Sequence, residues 1–138
     1  MGAVAIAFIA MQLVPVNRTN PPVTGDVSAP PEVAHIIRRA CYDCHSHEAH
    51  WPWYGYVAPV SWLLESDISE ARNHLNFSQW SEYSANKQAR LCQDIWEEVD
   101  NGDMPLPGYL LIHRRARLSD EDKHILHRWL QSMSENHR

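Results

Sequence analysis

Residues 41–45 read Cys-Tyr-Asp-Cys-His, and no other run in the chain carries so specific a chemistry. Two thiols three positions apart lie on one side of a helical turn, where they reach the two vinyl groups on one edge of a porphyrin. A histidine directly after the second thiol then falls beneath the iron. The pattern points to one covalently held c-type haem, with Cys41 and Cys44 as its thioether attachments and His45 as proximal iron ligand. At this chain's own cysteine and histidine frequencies the pattern arises by chance about 0.004 times. Three other uses of the same residues compete. A zinc site drawing on Cys41, Cys44 and two of His45, His47 and His50 would crowd its ligands into one short loop, and no second pair stands at ribbon-like spacing. A redox dithiol expects a βαβ context that this sequence lacks. A plain disulfide is the simplest alternative.

The iron's other axial position has several candidates. Of Met1, Met11, Met104 and Met133, the best placed is Met104, in Gly-Asp-Met-Pro-Leu-Pro-Gly, 59 residues after His45. A loop stiffened by Pro105 and Pro107 can hold a thioether against the distal face, although methionine also serves as a core gap filler. His47, His50, His74 and His113 are rival ligands, the first two being close to His45 for crossing to the other face. An open sixth position would instead favour gas binding or peroxidase chemistry. Trp51, Trp53, Tyr54 and Tyr56 can wall the haem and exclude water. Arg72 suits a propionate, since a guanidinium matches a carboxylate fork. Its plain alternative is a solvated arginine on a helix surface. Cys92 stands alone and reads as a buried, inert thiol.

These residues need a small helical frame. A chain of 138 residues with 44% apolar content fits one domain, and its net charge of −5 argues against nucleic acid as a partner. Six tryptophans and nine histidines are many for such a core, and a bound aromatic cofactor gives them something to pack against. A first helix is predicted from Pro31 into the cysteine pair, with Val33, Ile36, Ile37 and Ala40 at helical spacing. Residues 46–59 read as a loop. A second helix covers 61–75 with Leu64, Ile68, Ala71 and Leu75 on one face, followed by a turn or short helix at 78–83. A third covers 84–101, carries Gln88, Cys92, Ile95, Trp96 and Val99 on one face, and stops at Gly102. Residues 103–108 are a Pro-rich loop. Ser119 opens a last helix with Asp122 three positions on, a capping-box-like start, and with Ile125, Leu126, Trp129 and Leu130 as its stripe. No segment alternates like a strand, so the predicted class is all-α.

Residues 2–16 are apolar apart from Gln12. Fifteen residues fall short of the about 20 that a spanning helix needs, and no convincing cleavage site follows. The segment 1–16 therefore reads as an uncleaved export signal or membrane anchor in a hydrophobic N-terminal helix, with a start that lies upstream. A helix buried within the fold is the alternative. Residues 17–30, interrupted by three Pro and one Gly, read as a linker, and residues 31–138 as the haem-binding domain. Haem attachment takes place on the outer face of the membrane, so an export segment and the motif support each other.

Several stretches together resemble a known family, the small haem-binding domains of exported bacterial cytochromes. They are Gln12-Leu13-Val14-Pro15, Asn20-Pro21-Pro22, Cys41 to Ser46, Trp51-Pro52-Trp53-Tyr54 and Ala58-Pro59-Val60-Ser61-Trp62-Leu63. Ala71-Arg72, Leu75 to Trp80, Gly102-Asp103-Met104-Pro105, Leu118-Ser119 and Trp129 complete the set. The resemblance implies a small cytochrome c-like helical domain with a single haem and favours Met104 as distal ligand. The expected function is one-electron transfer on the periplasmic side of the bacterial inner membrane. A redox protein or membrane electron-transfer complex would be the partner, and the N-terminal segment would hold the membrane. The alternatives are a haem sensor or gas-binding module with a displaceable ligand, and a haem-bearing subunit of a larger complex. An enzyme of peroxidase type is not expected, because no distal His–Arg pair stands at recognisable spacing. One departure is the stretch Glu65 to Ala71, more acidic than the family pattern, which removes a basis for charge-guided docking.

Overall fold

The apolar periodicity of residues 31–40 folds as a helix because Pro31 occupies its first turn, where a missing N–H costs nothing. In the computed structural model, which describes residues 1–135, the helices are α1 (Gly2–Gln12), α2 (Pro31–Ala40), α3 (Tyr42–His45), α4 (Val60–His74), α5 (Ala85–Asn101), α6 (Pro107–Ile112) and α7 (Asp120–Glu135), with short 3-10 turns at Trp53–Tyr56, Phe77–Glu82 and Arg114–Ala116. No strand occurs among the described residues, so the all-α expectation holds. The last three residues of the predicted 31–138 domain lie outside the described residues.

Local signals set the long helices. Ser84 caps α5 by accepting the Lys87 N–H, and Gly102 ends it in the left-handed region at φ +81°. Ser119 and Asp122 form a reciprocal box before α7: the Ser119 N–H donates to Oδ2 of Asp122, and the Asp122 N–H donates to the Ser119 hydroxyl. α5 and α7 pack side by side, and α2 packs against α7. The core they share includes Val33, Ile37, Cys92, Leu126 and Leu130, and it extends through Tyr42, Phe77 and Trp80 toward the attachment motif. Cys92 is fully buried, as expected. Met133 packs against this core.

Two predicted loops contain more structure than their sequence suggested. Residues 46–59 hold the Trp53–Tyr56 turn, and residues 103–108 run into α6, where Pro107 again takes a first helical position. α6 is too short to display a period, which is why the Pro-rich reading missed it.

The N-terminal apolar run is helical only over Gly2–Gln12. Pro15 disfavours helical geometry at Val14 and closes the helix early. At 1.5 Å per residue α1 is about 16 Å long, and no helix among the described residues is long and apolar enough to cross a membrane. None of its residues is buried, which disposes of the alternative that α1 is a core helix. Residues 17–30 are irregular, as their composition predicts, but they are fastened along their length. The N–H groups of Thr24 and Gly25 donate to Ser78 O, the Val27 N–H donates to Phe77 O, and Val27 is part of the core.

Candidate functional site

Cys41 ends α2 with its N–H on Ile37 O, and the chain then turns once more. The N–H groups of Cys44 and His45 both donate to Cys41 O, at 3.2 and 2.8 Å. That single turn brings Cys41, Cys44 and His45 together along the chain, with the two thiols close enough to influence one another. Both cysteines are free thiols, so the disulfide alternative is not formed. Burial, helped by the neighbouring Cys44, pushes the Cys41 thiol up to about 12. Burial together with Asp43 and Asp67 pushes Cys44 up to about 11. A redox dithiol needs the opposite, a thiol lowered toward neutrality. No group of three or more His, Cys, Asp or Glu is gathered to hold a metal ion among the described residues, which removes the support for zinc.

His45 Nδ1 lies 3.1 Å from Leu75 O and 3.2 Å from Ala71 O, at the C-terminal end of α4. Carbonyl oxygens only accept, so Nδ1 carries the proton and the lone pair sits on Nε2. Nε2 has no hydrogen-bond partner among the described residues. Burial, against the pull of these carbonyls, holds the imidazole below its ordinary pKa, in the neutral form that ligates metals. No local pattern signals these orienting carbonyls, which are 26 and 30 positions away.

The rival histidines fall into place. His47 is buried with both nitrogens engaged: Nδ1 donates to Pro22 O at 2.8 Å, and Nε2 accepts from Asn76 Nδ2 at 2.7 Å. It is a structural hub rather than a ligand. His50 is exposed beside Asp43. His113 Nε2 lies 2.6 Å from the Tyr54 hydroxyl, and its ring stacks on Tyr109 with 4.1 Å between centroids. The Tyr109 hydroxyl in turn donates to Asp43 Oδ2 at 2.7 Å, so α6 is fastened to the middle of the attachment motif. Burial and the nearby Asp43 raise the pKa of both tyrosines, which keeps them neutral donors. Asp43, Tyr109 and His113 were missed as partners because 66 residues separate the first pair.

Met104 lies half-buried in the loop before α6, with its N–H donating to Glu98 O at 3.0 Å. Five residues later the chain reaches the motif through Tyr109. Arg72 has other partners than the expected propionate: Nε donates to Ser46 O, Nη1 to Thr19 O and Nη2 to Asn20 Oδ1. It straps residues 19–20 to the segment after the motif. Trp51 is half-buried beneath Arg18, whose guanidinium lies 5.4 Å from its ring. It also packs against Gly55, where a Cβ would meet its ring and Leu64 at about 3 Å. Trp53 is 79% exposed and meets only the edge of Tyr54 in the aromatic contacts of this loop.

The residues present fit a haem. Two free thiols and an imidazole with an available, neutral Nε2 are the donor set that covalent attachment and proximal ligation use. Trp53, Leu106, Leu111 and Ile112, on the two segments that meet around Tyr54 and His113, are exposed apolar side chains suited to cover by a porphyrin. A family model described as a haem-binding domain matches residues 6–132. No curated protein and no solved structure matches the chain.

Proposed function

This chain belongs to the haem-binding domain family, and from that premise we propose that it is a single-haem c-type cytochrome that transfers electrons one at a time. Cys41 and Cys44 would hold the ring by thioether bonds, and His45 Nε2 and Met104 Sδ would be the protein's ligands to its iron. When bound, the haem supplies an iron that alternates between ferric and ferrous states, and methionine ligation favours a higher potential than two histidines. The rest is the work of the chain. The Ala71 and Leu75 carbonyls fix the tautomer and plane of His45. The Tyr109–Asp43 bond holds the end of the Met104 segment against the attachment turn. Trp51 and Tyr54 keep water from the motif's flank. The observation that carries this reading is the imidazole of His45: locked by two carbonyls, neutral, with Nε2 available directly after two free thiols.

The protein works on the periplasmic side of the bacterial inner membrane, held there by the apolar N-terminal helix. It exchanges electrons with a redox protein or a membrane complex, and it is not an enzyme. The test is a visible spectrum, oxidised and reduced, of protein made with a cytochrome c maturation system, together with a haem stain after denaturing electrophoresis. The expected result is a haem that survives denaturation, with the red-region band of methionine-ligated ferric iron lost in Met104→Ala. A covalent haem without that band would overturn the distal assignment and favour a displaceable-ligand sensor. No covalent haem would overturn the proposal.

A further inference from the structure

α1 is apolar on every side. Gln12 is the sole polar side chain from residue 2 to 16, and no residue of the helix is buried, Met11 alone being half-covered. A helix that docks in a protein groove needs one apolar stripe, whereas a helix apolar all round needs a medium that is apolar all round. Gln12 itself has three of its amide's four hydrogen-bonding positions engaged. Its Oε1 accepts the Ala58 N–H at 2.9 Å, and its Nε2 donates to Phe8 O at 3.0 Å and to Ala58 O at 3.4 Å. One lone pair of Oε1 is all that is left to water, which lowers the cost of a polar group at the edge of hydrocarbon.

The same contacts fix where the domain sits. The Gln12 clasp pins the base of α1 to Ala58, which is buried. The Asn17 N–H donates to Glu65 Oε1, and Arg18 donates twice to Gly55 O with its guanidinium 4.7 Å from the Tyr56 ring. Residues 12–18 are thus laid along residues 55–65. Around the clasp Leu13, Val14, Tyr56, Val57, Val60 and Leu63 are all exposed. This is a mixture of aliphatic side chains and a tyrosine, continuous with α1 and with Arg18 beside it, as at a membrane–water boundary.

We infer that this surface rests on a lipid bilayer, with α1 in the hydrocarbon and the Gln12–Ala58 clasp holding the haem domain in one orientation on the headgroups. The inference rests on the membrane-anchor reading and adds to it a docked face in place of a free tether. α4 begins in that face at Val60 and presents its other end to His45 through the Ala71 carbonyl. Eleven to fifteen residues at 1.5 Å each place the iron ligand about 17–22 Å along α4 from the lipid-facing end.

The test uses the haem-loaded full chain in phosphatidylcholine vesicles, with the photoreactive residue benzoylphenylalanine placed singly at Leu63, at Ile9 in α1, or at exposed Glu97 in α5. Val60 serves as a second site if the Leu63 protein does not retain its spectrum. The expected result is lipid adducts from positions 9 and 63 and none from 97. In Gln12→Ala, the adduct at 63 falls at least fivefold while that at 9 persists. Lipid adducts at 9 without any at 63 overturn the docked face and leave the anchor standing. Protein adducts at 63 make it a protein interface and overturn the proposal. An unchanged yield at 63 in Gln12→Ala overturns the clasp. No lipid adduct at 9 refutes the anchor and the docked face together.

Discussion

Replacing Asn76 with alanine is expected to destabilise the domain by about 4 kcal/mol, and the figure can be worked from its contacts. Asn76 is buried, and its amide makes three bonds: Nδ2 donates to His47 Nε2 at 2.7 Å and to Gln79 Oε1 at 3.2 Å, and Oδ1 accepts the Ser78 N–H at 3.0 Å. Gln79 is half-buried and can turn to water, so its bond counts for little. Ser78 and His47 are buried, and each would keep a polar atom without a partner, at about 1.5 kcal/mol apiece. The space left by the side chain adds about 1 kcal/mol. For a domain of this length the total lowers the melting temperature by about 15 °C. The assay is denaturant and thermal unfolding of the haem-loaded protein by far-UV circular dichroism, with Asn73→Ala on the exposed surface of α4 expected to stay within about 0.5 kcal/mol. Haem content on a denaturing gel should not change, because Asn76 touches neither thiol. A loss below about 1 kcal/mol in Asn76→Ala would refute the claim that this network fixes the segment after the motif.

Three further outcomes are expected. Burial pushes the Cys92 thiol up to about 11, so in the haem-loaded protein iodoacetamide at pH 8 should alkylate it roughly a hundredfold more slowly than a free cysteine, with a tenfold gain per pH unit. Cys92→Ala should keep its haem, and labelling at the free rate would refute the buried assignment. Burial alone would raise the Asp122 pKa, but the Arg39 guanidinium at 2.6 Å and the Ser119 N–H and O–H bring it below its ordinary value. The folded state therefore binds that proton less readily than the unfolded chain. The stabilisation is complete above the unfolded pKa near 4 and is lost as pH falls through the lower folded value. Asp122→Asn should cost about 1 kcal/mol at pH 7 and flatten the acid limb of unfolding midpoints between pH 2 and 7; superimposable curves would remove the claim. Tyr109→Phe removes the bond that fastens α6 to Asp43, worth about 1.5 kcal/mol. Imidazole should then displace the distal ligand about tenfold more readily, and an unchanged titration would separate that bond from the distal side.

What the sequence determined by itself is everything that neighbours along the chain decide. The one-turn grouping of Cys41, Cys44 and His45 follows from helical geometry. So do the capped starts at Ser84 and Ser119, the left-handed stop at Gly102 and the buried stripes of α2, α5 and α7, because each is set within four or five positions. Tertiary structure decided what depends on distant partners. The lone pair of His45 was assigned to Nε2 by two carbonyls of α4, and His47 was withdrawn from the candidate ligands by Pro22 and Asn76. Arg72, read from its fork as a propionate partner, also straps together residues 19, 20 and 46. The Pro-interrupted segment 17–30 has no local period, so its bonds to distant residues, among them 47, 72, 77 and 78, make it part of the packed body. A side chain's type states which bonds it can make, but its neighbours in space settle which it does make, since a buried polar group must find a partner wherever the fold supplies one.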